Sequence, residues 1–411
     1  MPQPESTQVA VAGGGPAGLV LGYLLARCGI ETLVLESQPD FDRDFRGDTL
    51  HAGVMEIFQE LGLADRILEL PHHKIRKLTA GGADLIDFNW LKTDFPFVTM
   101  MAQSLFLDFL AKEAATFPSF QIIMDASVRE LLHDENSGRA TGLRYRKNGQ
   151  LIDVRADLAV ACDGRASRLR KEANLEPIPV TAPLEVLWFR LPRHDSDPEF
   201  GRRSGAITGG RLPLIVLERT DHYQIAAVIP PGTFSEIRKR GIADFHETIR
   251  DAAPDFYDRA VATLDDWRKV AFLHVEGSRL KQWHRPGLLL IGDAAHVMTP
   301  IGGVGINYAI WDAVEAANHL VPALRKDLPI ADSILADIQR RREPATKRMQ
   351  RIQRIAGRRI LAIANDDDRR FSIPLILRLL LKIPGLRSIA PRIIALGGKR
   401  TRCRLQDYFE R

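Results

Sequence analysis

The spacing of apolar and polar residues changes period several times along this chain, and each change marks an element. Val9 to Ala12 is a continuous apolar run, as in a strand buried on both faces. It runs into Gly13-Gly-Gly-Pro-Ala-Gly18. Helical spacing then covers Ala17 to Arg27, and a second strand, Thr32 to Leu35, ends at Glu36. A loop (Pro39 to Thr49) leads to a helix from about Gly53 to Leu61. Residues 77–101 read as short strands, and a helix carrying Leu107 and Leu110 opens at Gln103. Between Phe120 and Cys162, short strands are punctuated by Asn136-Ser-Gly138 and Asn148-Gly149, both hairpin signals. Asp157 to Cys162 reads as a buried strand returning to the first sheet. Further strands are expected at Glu185–Leu191, Leu214–Glu218, Tyr223–Ile229 and Phe272–Val275, with a helix at Phe245–Ala253. A last apolar run, Leu288 to Ile291, meets Asp293, a glycine-dense loop and a helix over Ile306–Leu320.

Two strand-rich blocks therefore interrupt a strand–helix–strand frame, which is the pattern of a discontinuous α/β domain carrying an inserted sheet. The opening of the frame has the spacing of a dinucleotide site. Gly13 permits the tight turn, Gly15 lets backbone approach a pyrophosphate, and Gly18 lets helix and strand pack closely. The positive end of the helix meets the phosphates, and Glu36 can accept from ribose hydroxyls. Asp293, also at the end of a buried strand, is a second candidate holder of a polyhydroxylated cofactor.

The chain's 411 residues are 45% apolar and 27% charged, ordinary for a globular protein with room for a large core. No apolar run approaches the roughly 20 residues that span a bilayer, and no basic leader precedes the first strand. Cys28, Cys162 and Cys403 are isolated, without metal or disulfide spacing, so no metal and a cytoplasmic location are expected. The net charge of +5 is unevenly placed. Residues 331–411 hold 20 Lys+Arg against 8 Asp+Glu, a net of +12, leaving 37 against 44, or −7, elsewhere. Lys347 to Ile363 fits a two-faced helix, with Met349, Ile352, Ala356, Ile360 and Ile363 opposite Lys347, Arg351, Arg354 and Arg358. Such a tail serves as a helical cap or as a peripheral contact with an anionic membrane. No recognition motif accompanies the charge, so nucleic acid is not an expected partner.

Three segments in this order resemble the single-component FAD-dependent aromatic hydroxylases, typified by 4-hydroxybenzoate hydroxylase, and the ubiquinone-biosynthesis hydroxylases. They are Gly13-x-Gly15-x-x-Gly18, Asp163-Gly-Arg-Ala-Ser-Arg-Leu-Arg170, and Gly292-Asp-Ala-Ala-His296 with Pro300 and Gly302-Gly-Val-Gly-Ile-Asn307. The resemblance implies an FAD-binding Rossmann-like domain of the glutathione-reductase type over residues 1–76, 102–180 and 276–330. A substrate-binding β-sheet domain would cover 77–101 and 181–275, with a basic helical region at 331–411. It implies that Gly13, Gly15, Ala17 and Gly18 wrap the pyrophosphate and that Glu36 holds the adenosine ribose. Arg46 and Gln103 would contact FAD, and Val128 would offer its backbone to the adenine. Asp163 and Gly164 would lie near FAD and the nicotinamide cofactor, with Arg170 closing that motif. Asp293 would bind ribityl or ribose hydroxyls. Gly303, Val304, Gly305, Ile306 and Asn307 would present backbone N–H groups to the flavin. Pro300 would be the catalytic position, its carbonyl directed at the substrate. Relatives often carry Lys or Gln where this chain has Val304.

The activity implied is hydroxylation of a small aromatic, phenolic or lipophilic molecule with NAD(P)H and O₂ through a flavin C4a-hydroperoxide. The alternative is an FAD-dependent dehydrogenase or reductase without oxygen insertion. Among other residues, His296 invites an acid–base or loop-shaping role, and His222 or Tyr223 could activate a phenol. The group Trp90, Phe95, Phe97, Met100 and Met101 suits a substrate cavity or the core.

Overall fold

The computed structural model describes residues 5–42, 49–80, 83–197, 205–207, 212–219, 221–326, 329–364, 385–397 and 400–409. At its centre is an eight-stranded sheet. The strands 288–290, 150–161, 6–12, 32–35 and 120–123 lie side by side in that order and run parallel. The hairpin strands 127–133 and 140–147 extend the long strand antiparallel, and 284–285 forms the edge. The helices, in chain order, are α1 (Pro16–Arg27), α2 (Ala52–Glu60), α3 (Ala64–Glu69), α4 (Gln103–Ala114), α5 (Arg168–Glu172), α6 (Phe234–Arg240), α7 (Ile242–Ala252), α8 (Tyr257–Thr263), α9 (Gly305–Leu324), α10 (Asp332–Ala364) and α11 (Ile389–Leu396). α1, α4 and α9 cover one face of the central sheet. On that side Val9, Val11 and Val34 join Leu21, Phe106 and Ile310 in a single core. The opposite face packs Ala10, Leu33, Tyr145 and Trp283. Covering both faces is what makes these strands continuously apolar.

A seven-stranded sheet follows the order 271–275, 184–192, 222–229, 214–218, 205–207, 77–80 and 83–87. Both interrupting blocks enter it, joined where Gly205 and Ala206 pair in parallel with Thr79 and Ala80. One face buries Phe189, Val216, Tyr223 and Ile225 against α6 to α8. The other carries Leu184, Val186, Ala226 and Val228, and it receives Ile301, Ile360 and Leu361. This second face therefore meets the loop that follows strand 288–290. Residues 98–100 pair with 49–50 and 73–75 in a separate three-stranded sheet beside α9.

The two-faced helix is longer than its apolar pattern: α10 begins at Asp332 and passes Pro344. Its covered side includes Met349 but also Arg342, Thr346, Gln350 and Gln353, all buried. Lys347, Arg351, Arg354 and Arg358 are exposed, as the pattern predicts. Polar side chains lengthen the buried stripe because Arg342, Gln350 and Gln353 bond groups on other elements, while Thr346 donates to the Arg342 carbonyl of its own helix.

Candidate functional site

The glycine turn sits at the carboxyl ends of the parallel strands, where ligands of such sheets bind. Gly13 has φ +103°, and a side chain there would start 2.4 Å from the Cys162 carbonyl oxygen. A Cβ on Gly18 would fall 1.9 Å from the Gly13 oxygen, so this glycine is required for α1 to seat on the strand. Gly15 is the N-cap of α1, without a side-chain cap, and the space where its Cβ would stand is open. Ala17 is buried behind it. The helix end therefore presents free N–H groups and positive potential to an open surface. Beside it, buried Glu36 accepts from Gly14 N at 2.8 Å through Oε2 and from Gln38 N at 2.9 Å through Oε1. Val128 lies in strand 127–133, two residues from Ala126, whose N–H donates to the Glu36 carbonyl. Gln103 is the first residue of α4, which packs on α1. Arg46 falls outside the described residues.

Asp163 follows the long central strand. Its Oδ2 accepts from Arg168 N (2.7 Å) and Leu169 N (3.2 Å), capping α5, while its buried Oδ1 has no partner. Arg165 reaches across to Asp293, Nε to Oδ2 3.3 Å. Arg170 binds the carbonyls of Ala294 (3.1 Å) and Arg165 (2.6 Å), tying the two acidic loops together. Burial lowers the Arg170 pKa, against the pull of Asp163 and Asp293.

Gly292, at φ +61°, brings Asp293 to the glycine turn. A Cβ there would lie 3.3 Å from both Ala17 and Ala309 Cβ, so the loop threads between α1 and α9. Its N–H donates to Asp312 Oδ2 (3.1 Å), which also lies 2.6 Å from His296 Nε2. Asp312 Oδ1 takes Arg342 Nε at 2.7 Å. All three side chains are buried. Burial would raise the Asp312 carboxyl, but His296 and Arg342 together hold it below its usual value. His296, its ring 4.8 Å from that of Trp283 and tilted 42° to it, thus belongs to a buried polar network that anchors the loop.

The following loop turns at Pro300–Gly303. Gly303 N donates to the Pro300 carbonyl (3.0 Å), with positive φ at Gly302 and Gly303. Pro300 is exposed. The Gly303 carbonyl accepts from Thr49 Oγ1 (2.7 Å) and from Asn307 Nδ2 (3.2 Å). Asn307 also donates to Thr49 O (2.9 Å) and accepts from His51 N (2.8 Å). Its side chain is thereby used to fasten the loop to strand 49–50. Val304 caps α9 without a side-chain hydrogen bond and is buried in the main core, which explains an apolar residue at this position. Gly305, Ile306 and Asn307 form the first turn of α9, whose N–H groups have no intrahelical acceptor.

Other candidates lie elsewhere. Tyr223 packs against Phe256, ring centroids 5.0 Å apart, on the helix-covered face of the seven-stranded sheet, away from Ile301. His222 pairs with Asp221 at the strand end. Phe95, Phe97, Met100 and Met101 are core residues, whereas Trp90 is exposed beneath Arg387. Sequence reasoning passed over Thr49, Asp312, Arg342 and Gln353. A signal existed for Asp312: a carboxylate inside the apolar stretch 306–320 must have a buried partner.

The family described as FAD binding domain matches residues 6–352. The 6-methylpretetramide 4-monooxygenase of Streptomyces rimosus is 31% identical over 412 residues, covering 98% of this chain and 95% of that protein. The rifampicin monooxygenase of Streptomyces venezuelae is 27% identical, over 74% of this chain and 62% of that protein. Among solved structures, p-nitrophenol 4-monooxygenase from Pseudomonas putida superposes with a TM-score of 0.76 at 19% identity, covering 97% of this chain and 99% of that one. Anhydrotetracycline hydroxylase from Streptomyces rimosus gives 0.74 at 21%, over 95% and 76%.

Proposed function

The chain belongs to the FAD binding domain family and is an FAD-dependent aromatic monooxygenase; we propose that NAD(P)H is its reductant and an aromatic compound resembling 6-methylpretetramide its substrate. The observation that carries the cofactor assignment is a convergence. The uncapped ends of α1 and α9, Glu36, Asp163 with its unpartnered oxygen, and Asp293 all gather at the carboxyl ends of one parallel sheet. Positive helix ends suit the pyrophosphate and the flavin's electron-rich edge, and the carboxylates suit hydroxyl groups.

In this reading Gly13, Gly15, Ala17 and Gly18 cradle the pyrophosphate, with Glu36 and Val128 at the adenosine end. Gln103, Asp163 and Asp293 line the middle, and Gly303 to Asn307 serve the flavin end. Bound FAD, reduced by NAD(P)H, supplies the activation of O₂ that the protein's own groups lack. The chain's contribution is placement. The face with Leu184, Val186, Ala226 and Val228 packs on Ile301 and backs the turn, and exposed Pro300 orients the substrate's reacting position through its carbonyl. An oxidoreductase without oxygen insertion is disfavoured, because the relatives above are named as monooxygenases and a hydroxylase. Three free cysteines support a cytoplasmic location. No helix among the described residues is long and apolar enough to cross a membrane; peripheral contact would rest on the charge of the C-terminal region.

The deciding experiment incubates the flavin-loaded protein with 6-methylpretetramide, p-nitrophenol or pentachlorophenol under ¹⁸O₂, with NADH or NADPH. Product carrying one labelled oxygen per reductant consumed is expected. Converted substrate without label would overturn the monooxygenase reading.

A further inference from the structure

The covered side of α10 offers a row of amides to the segment that carries Asp293 and Pro300. Gln350 Nε2 donates to the carbonyls of Ser278 (2.9 Å) and Val297 (3.2 Å). One turn on, Gln353 Nε2 donates to the carbonyls of Thr299 (2.8 Å) and Ile301 (2.9 Å), and Gln353 Oε1 accepts from Thr299 N at 3.1 Å. Gln353 is 1% exposed. Both its amide hydrogens and its oxygen are committed, and they bracket Pro300 from either side. With the carbonyls of Thr299 and Ile301 held by Gln353, the Pro300 carbonyl between them accepts from Gly303 N and closes the turn. A second contact reinforces the first: a Cβ at Gly357 would lie 3.6 Å from Ile301 Cδ1, so α10 packs directly on the side chain whose carbonyl it binds. Ile301 in turn packs on the inner face of the seven-stranded sheet. Gln353 lies one residue beyond the stretch that the family matches.

We propose that Gln353 is a positioning residue for oxygen transfer. It acts through the backbone of Thr299 and Ile301 and fixes where the Pro300 carbonyl stands relative to the substrate. This rests on the monooxygenase reading. The helix that closes the core is thereby part of the apparatus that separates productive hydroxylation from wasteful oxygen reduction. A loop free to shift by an ångström loses the alignment on which transfer depends.

The test compares the flavin-loaded wild type with Gln353→Met and with Gln339→Met. Gln339 sits on the same helix and makes the same kind of bonds, but to Lys281 and Trp283, away from the turn. Hydrogen exchange is followed on the peptide spanning Met298 to Gly305. Hydrogen peroxide and oxygenated product are counted per NAD(P)H consumed, with 6-methylpretetramide as the probe. In Gln353→Met, exchange at the turn rises roughly a hundredfold, as the loss of three hydrogen bonds implies. Flavin content holds, and the yield shifts from product to peroxide. Gln339→Met shows neither change. Unchanged turn exchange in Gln353→Met, or equal uncoupling in both variants, would overturn the proposal. A wild type that forms no oxygenated product would instead count against the enzymatic reading, and the exchange measurement still decides whether Gln353 holds the turn.

Discussion

At the scale of single residues, the glycines and the acids of this site differ in how far their roles can be read from the chain. Gly13 and Gly18 answer a local demand, a positive φ or an approach within 2.4 Å, and local demands leave a local spacing in the sequence. Asp293 is legible for the same reason, as an acid at the end of an apolar run. Its backbone is held independently of its side chain by Arg170 and, through Gly292, by Asp312. Asp293→Ala should therefore fold normally while losing the hydroxyl-binding carboxylate. A fall of about tenfold or more in bound flavin is expected, read from the ratio of flavin to protein absorbance alongside unchanged circular dichroism. Full flavin content would remove Asp293 from the site. Thr49, Arg342 and Gln353 were not legible, because their partners are backbone carbonyls or buried acids 30 to 254 positions away. In one dimension a glutamine on a basic helix reads as solvated.

At the scale of elements, short contacts between distant helices and strands carry much of the site's rigidity. His51 precedes α2, its N–H bound by Asn307, and its Nδ1 lies 3.0 Å from the Ile394 carbonyl of α11. Burial pushes its pKa from the ordinary 6.5 down to about 4. Between those values the unfolded chain binds a proton that the folded chain excludes, so stability rises with pH there and is lost as pH falls from 6.5 toward 4. The full difference corresponds to about 3 kcal/mol. His51→Asn, which keeps a donor toward Ile394 but does not titrate, should flatten this part of the profile. Urea midpoints at pH 7 and pH 4.5 measure it; an unaltered slope would show that another group titrates. The sequence predicts the helix that follows His51 but not this contact, because His51 and Ile394 lie 343 positions apart.

At the scale of the whole molecule, the basic C-terminal region closes the core as well as displaying charge. The apolar side of α10 that would enter a membrane is occupied: Met349 is buried in the main core, and Ile360 and Leu361 pack on the seven-stranded sheet. Among the described residues of α10 the outward side is mainly charged, with Ile355 exposed between the basic residues. Any attachment to anionic vesicles should therefore vanish near 150 mM salt in a flotation assay, where screening is strong. Binding that survives 1 M salt would mean apolar insertion by a segment other than the covered face of α10. The parallel order of the central sheet has a further consequence, for the time course of synthesis. The strand 150–161 pairs with 288–290, 129 positions later when Ala159 is matched to Leu288. At ordinary translation speeds the newly made long strand waits on the order of ten seconds with one edge open. Arg342 and Gln353, which hold the finished loop, emerge later still. The loop that carries Asp293 and Pro300 thus gains its α10 contacts only after residue 353 has cleared the ribosome, and on the proposed reading flavin capture follows that step.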